Sequence, residues 1–197
     1  MRSPWSSLSM LVISLSALAV APSGTQKPDD PRRAAAQASD AQHAFDRMKS
    51  LAGTWMGEAT MRHGAEMNKA PVRVSVRVTS GGAALMHEMV PEGRRDDPTR
   101  GDDDPITMFY LDGDRLLLTH YCDPAMNRPR MAGGLSADGK IVRFDFLDVS
   151  GGTKDGYMNG AAFTIIDADH HSEDWTYMMP GGKPGDHAHI DLVRTRP

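Results

Sequence analysis

A chain of 197 residues with 22 Lys and Arg against 26 Asp and Glu carries a formal net charge of -4. Its basic residues are interspersed with acids, which argues against nucleic acid or an anionic membrane surface as partner. The single cysteine, Cys122, excludes an internal disulfide framework.

Arg2 precedes an apolar run from Leu8 to Val20, and Ala17-Leu18-Ala19 and Ala19-Val20-Ala21 give alternative A-x-A cleavage sites, the second disfavoured by Pro22. This is the pattern of a secretory signal peptide over residues 1–21, too short and wrongly flanked for a membrane span. Export to the periplasm or out of the cell is the expectation. Residues 22–40 are rich in Pro, Asp, Arg, Ala and Gln without periodicity, and read as a disordered linker. The folded domain is then expected over 41–197, large enough to build a core without disulfide staples.

The domain opens with a short helix, since Phe45, Met48 and Leu51 recur at helical spacing between Ala41 and Ala52. Strands follow. Val72, Val74, Val76 and Val78 alternate with Arg73, Ser75, Arg77 and Thr79, and Val142, Phe144 and Phe146 alternate with Arg143 and Asp145. That period of two marks half-buried strands. Gly81-Gly82, Asp112-Gly113, Asp138-Gly139 and Gly181-Gly182 supply tight turns between such runs. About ten strands result, beginning near residues 53, 71, 83, 106, 115, 128, 141, 158, 172 and 187. Short turns between successive strands imply an all-β, antiparallel up-and-down meander. Closing it into a barrel removes both exposed edges, and ten strands leave room for a cavity. The helix would cap one end.

Several stretches carry reactive side chains. In LTHYC, at 118–122, the Asp112-Gly113 hairpin sets the parity: Arg115 beside the turn faces water with Tyr110, so Phe109, Leu116, Leu118, His120 and Cys122 face the interior. His120 is thereby a candidate polar anchor for a bound ligand. The competing reading is a core histidine satisfied by a neighbouring carbonyl or hydroxyl. Cys122 has a packing role. His87 shares parity with Leu85 and Met89 and is a second interior candidate. Arg130 is either a solvated strand charge or a guanidinium turned inward to clamp a carboxylate, with Glu88, Asp145 or Asp174 to compensate it. Trp175 and Tyr177 share one face of the ninth strand and offer a flat, amphipathic wall, and Phe109 adds a ring. The run DADHHSED, at 167–174, holds many metal-ligating types but falls where a hairpin turn belongs, and its spacing matches no zinc or calcium loop. The charged stretch from Arg94 to Asp104 reads as a long solvated loop near a barrel mouth. No G-x-S-x-G, P-loop or H-E-x-x-H motif occurs.

Gly53-Thr54-Trp55, at the start of the first strand, resembles the G-x-W of the lipocalin and fatty-acid-binding superfamily, the calycins. The longer pattern LAGTW, SGGAAL, then MFYLDGDRLLLTHYC followed by PRM resembles a lipocalin-like family of uncharacterised exported bacterial proteins, over about Phe45 to Arg196. The resemblance implies that Trp55 closes the barrel floor and is covered by a basic residue of the last strand, Arg194 or Arg196. That family lends no activity; the cavity expected inside the barrel, with the export signal and the absence of a catalytic motif, leads to the expectation of an exported, non-enzymatic carrier or sensor of a small apolar or amphipathic molecule, with no cofactor. Two alternatives accompany that expectation. One is an enzyme using His120 with a cavity carboxylate. The other is a haem-binding, nitrobindin-like barrel drawing on His120, His187 and His189.

Overall fold

A computed structural model describes residues 31–92, 104–122 and 126–196. The expected signal peptide and the stretch from Arg94 to Asp103 lie outside the described residues. The elements are α1 (Pro31–Lys49), β1 (Gly53–His63), β2 (Glu66–Thr79), β3 (Ala84–Pro91), β4 (Ile106–Asp112), β5 (Arg115–Tyr121), β6 (Arg128–Leu135), β7 (Ile141–Ser150), β8 (Tyr157–Ile165), β9 (His170–Met179) and β10 (Lys183–Arg194). The strands form one closed antiparallel barrel in chain order, β10 pairing back onto β1. The meander expected from the turn spacing is therefore the observed topology.

Alternation explains the closure. Val72, Val74 and Val76 of β2 are buried while Arg77 is exposed, so one register satisfies the middle of the strand; Val78, expected to continue the buried row, is exposed beside the turn at 80–82. At Asp112-Gly113 the glycine takes a φ of 64°, and the hairpin pairs Phe109 with Leu118 and Thr107 with His120. Phe109, Phe144 and Phe163 then meet inside the barrel with ring centroids 5.4–6.0 Å apart.

The helix covers the barrel end beside this aromatic core. Ala41, Ala44, Phe45, Met48 and Leu51 form its buried stripe, and Arg47 Nε donates to the Gly139 carbonyl at 3.0 Å, fastening α1 to the β6–β7 turn. The helix begins at Pro31, within the segment expected to be a disordered linker. Proline suits a first helical position, and Ala34-Ala35-Ala36 has the highest intrinsic helix propensity; neither signal needs apolar periodicity. No helix among the described residues is long and apolar enough to cross a membrane.

Trp55 is 0% exposed at the floor. Its Nε1 donates to the Leu51 carbonyl at 2.8 Å, and the Arg194 guanidinium lies 4.0 Å over its ring. The same guanidinium donates to the carbonyls of Ala52, Ser50 and Ala168 at 2.6, 3.1 and 2.9 Å. It thus ties the helix exit to β10 while stacking on Trp55. Arg196, the other arginine considered for this place, instead meets Asp169 on the surface. Gly53 is required here twice over: its φ is 145°, and a Cβ would run into the Arg194 guanidinium.

Arg194→Ala should lower stability by about 2 kcal/mol, combining a cation–π contact with charged hydrogen bonds. Arg194→Lys should recover only part of this, because an ammonium cannot span three carbonyls. Denaturant unfolding of the three proteins checks the order; an unaltered alanine variant would contradict it.

Candidate functional site

Above the Trp55 floor, where the His171 ring meets the indole edge-on with centroids 4.2 Å apart, the barrel interior changes character. On β9 the inward positions are His171, Glu173 and Trp175, with Ser172 and Asp174 between them. Glu173 is 0% exposed, so its ionised oxygens need donors from protein. Trp175 Nε1 donates to one carboxylate oxygen at 3.0 Å and His171 Nε2 to the other at 3.1 Å. His87 Nε2, from β3 across the barrel, lies 3.0 and 3.1 Å from the two oxygens. A carboxylate only accepts, so the proton of each histidine sits on its Nε2 in these contacts. Burial is the largest influence on Glu173 and opposes ionisation. The charge on His87 and the hydrogen bonds from His171 and His87 outweigh it and hold the carboxyl well below the ordinary range.

His120 stands on the other side of Trp175, its ring centroid 5.1 Å from the indole at a tilt of 39°. It is 4% exposed. Its Nδ1 shares a 2.8 Å hydrogen bond with Thr107 Oγ1, while its Nε2 has no hydrogen-bond partner. Burial, with the charge on His87 second, lowers His120 to about 3, so the ring is neutral at neutral pH.

His120 and Trp175 line a cavity of about 510 Å³ that opens at the end away from α1. Met158, Pro129, Cys122 and Ala188 complete its apolar wall, and Met61, Tyr157 and Tyr177 stand around it toward the mouth. Such a volume is usual for a small-molecule site. The rim is held by side chains of the connecting segments. Asn127 Nδ2 donates to the carbonyls of Gly152 and Gly156 at 3.1 and 2.6 Å, joining the β5–β6 connection to the β7–β8 turn. Tyr177 donates its hydroxyl to the Asp155 carbonyl. His63 faces Asp186 at 2.8 Å at the rim, and hydrogen bonding and charge from Asp186 raise that histidine's pKa.

The structure brings His120, Trp175, Tyr177 and Cys122 to this cavity. His87 is interior as expected but lies deeper, on Glu173. Phe109 belongs to the aromatic core at the closed end. Arg130 does not turn inward. It pairs with Thr119, whose side chain is on the outer face with Tyr110, and its guanidinium binds Asp148 with Nε to Oδ1 at 2.8 Å, 42% exposed. The hydrogen bond to Asp148 is the main reason its pKa rises further.

Glu88, Asp145 and Asp174 are likewise not the buried acid; that acid is Glu173. The sequence did hold the signal, because Glu173 and His171 share parity with Trp175. Reading residues 167–174 as a turn hid it, whereas β9 begins at His170. His187 and His189 of β10 bracket Asp174 on the outer surface, at 3.2 and 2.8 Å. Among the described residues no group of ligating side chains is arranged to hold a metal ion. Among the described residues His120 is hydrogen-bonded by Thr107 and by no carboxylate.

No family model matches the chain, and no curated protein matches it in sequence. Solved structures with TM-scores above 0.5 share its fold. Rv2717c from M. tuberculosis superposes with a TM-score of 0.56 at 16% identity, over 78% of this chain and 98% of that one. A protein of unknown function from the DUF3598 family of Nostoc punctiforme gives 0.51 at 12% identity, over 75% of this chain and 49% of its own. An S-type phycobiliprotein lyase from Guillardia theta gives 0.45 at 8% identity, over 85% and 99%. Identities this low speak to fold alone. With the closed ten-stranded meander and the Trp55–Arg194 floor, the fold is calycin-like.

The two buried titrating groups make stability fall on acidification in successive windows. For His120, lowered in the fold to about 3 from roughly 6.5 in the unfolded chain, only the unfolded state binds a proton between those values; stability therefore drops as pH falls through that window, by about 2 kcal/mol at pH 5. Glu173 is lowered in the fold, so its contribution is present above its unfolded value of about 4.3 and is lost below it. Urea unfolding at pH 7, 6 and 5 should show the first loss in the wild type and a flatter profile in His120→Phe. Parallel profiles would contradict the assignment.

Proposed function

We propose that the protein is a non-enzymatic carrier or sensor that holds a small apolar or amphipathic molecule in the cavity between His120 and Trp175. One observation carries this reading: a neutral, buried histidine with an unpartnered ring nitrogen lies on the wall of a mainly apolar cavity of about 510 Å³ whose charged residues Arg62, His63 and Asp186 come from the hairpins at its mouth. Buried polar atoms are normally satisfied. A ligand hydroxyl, amine or carbonyl satisfies this one, while the wall supplies the apolar contact area that drives binding. Trp175 serves as a rigid wall because its indole proton is held by Glu173.

In the same reading the protein is exported, on the strength of the apolar run Leu8–Val20 and its A-x-A sites, and acts in the periplasm or outside the cell. Intact-mass measurement of protein recovered after expression in a Gram-negative host should give a mature chain beginning near Val20 or Pro22. A chain retaining Met1 in the cytoplasm would contradict export.

N-phenyl-1-naphthylamine, an apolar fluorophore with one N–H, tests the cavity directly. It should bind with a gain in fluorescence. Ala188→Trp, which fills the cavity, should abolish that gain. His120→Phe should weaken binding by roughly 1 to 3 kcal/mol, the scale of a lost buried hydrogen bond, and Arg130→Ala should leave it unchanged. Binding indifferent to both cavity substitutions would overturn the proposal.

A further inference from the structure

The charges around the cavity limit what can enter it, and this argument rests on the cavity being the binding site. An ionised carboxylate taken out of water needs a cation or several hydrogen-bond donors in exchange. The inner wall offers neither. Arg130 lies outside the barrel on Asp148. Arg62 and His63 line the cavity only from the β1–β2 hairpin at the mouth, where His63 is paired with Asp186. His120 is neutral and its Nδ1 is engaged by Thr107, which leaves one ring nitrogen to make a single hydrogen bond. Behind Trp175 the indole of the wall donates to Glu173 at 3.0 Å, and that carboxylate is already paired with His87. The Glu173 oxygens already receive Trp175, His171 and His87, so they pull no donor from the cavity side. An anion at His120 would be desolvated in exchange for a single hydrogen bond, with no cation of the inner wall to receive it.

The shape of the wall adds a second restriction. The Trp175 indole has no freedom to turn away, because its Nε1 is anchored on Glu173, and Tyr177 is fastened through its hydroxyl to the Asp155 carbonyl. Tyr157 is stacked on Phe146, with centroids 4.7 Å apart. Fixed aromatic faces favour a flat partner that covers them at little entropic cost.

We infer that the cavity takes an uncharged, planar aromatic alcohol or carbonyl compound, with its polar group innermost against His120, and that it rejects an ionised carboxylate there. This separates the protein from a barrel that clamps a fatty-acid headgroup on an interior arginine.

Two rigid fluorescent probes of matched shape decide the point: 1-pyrenemethanol and 1-pyrenecarboxylate, titrated at pH 7.5 and followed by fluorescence anisotropy. The alcohol should bind at least about tenfold more tightly than the carboxylate, a difference of ~1.4 kcal/mol. His120→Phe should remove most of that difference by weakening the alcohol alone. Equal or tighter binding of the carboxylate to the wild type would overturn the inference while leaving the cavity as the site, provided that Ala188→Trp still blocks both probes. If neither probe binds, or if Ala188→Trp leaves both unaffected, the cavity reading itself fails and this inference fails with it.

Discussion

A carboxylate shut away from water organises the interior of this barrel. Glu173 has no exposed surface, and an unpaired charge in that place would cost several kcal/mol. Its stability there depends on donors brought from two strands: His171 and Trp175 along β9, and His87 from β3. Each donor is fixed by the bond it makes. The fixed Trp175 ring then becomes both a wall of the cavity and the surface against which His120 rests. The polar cluster and the apolar site are thus one construction, with the indole as their shared part.

Closure of the sheet makes such a cluster possible. A ten-stranded meander with β10 returned to β1 has no free edge, and its interior is reached only through the two ends. One end is filled. Phe109, Phe144 and Phe163 occupy it, α1 covers it, and Arg194 stacked on Trp55 locks the first strand, the last strand and the helix exit together. Toward the other end Pro129, Cys122 and Ala188 stand among the rings of Trp175, Tyr157 and Tyr177, and the space between them is the cavity.

Local periodicity carried the sequence reading as far as it reached. The valines of β2 and the Asp112-Gly113 turn defined strands and, through hairpin parity, the inward direction of His120. The pairing of Gly53 with Trp55 pointed to the floor that Arg194 covers. Arg130 was harder, because the sequence between Cys122 and Arg128 has no Asp-Gly or Gly-Gly pair from which parity could be carried to the next strand. Its outward direction is set by pairing with Thr119, a tertiary fact. Glu173 was hidden by the polar crowding of residues 167–174, where a strand start looks like a turn. The early start of α1 escaped for a related reason: alanine propensity makes a helix without making a stripe.

The central claim is that the cavity between His120 and Trp175 is where a small molecule binds. The most direct measurement is the indole N–H region of a proton–nitrogen correlation spectrum of the mature chain, recorded while N-phenyl-1-naphthylamine is added. The resonance of Trp175, on the cavity wall, should move with saturation, while that of Trp55, sealed beneath Arg194, should stay in place. A stationary Trp175 signal at fluorophore concentrations that saturate binding would contradict the account.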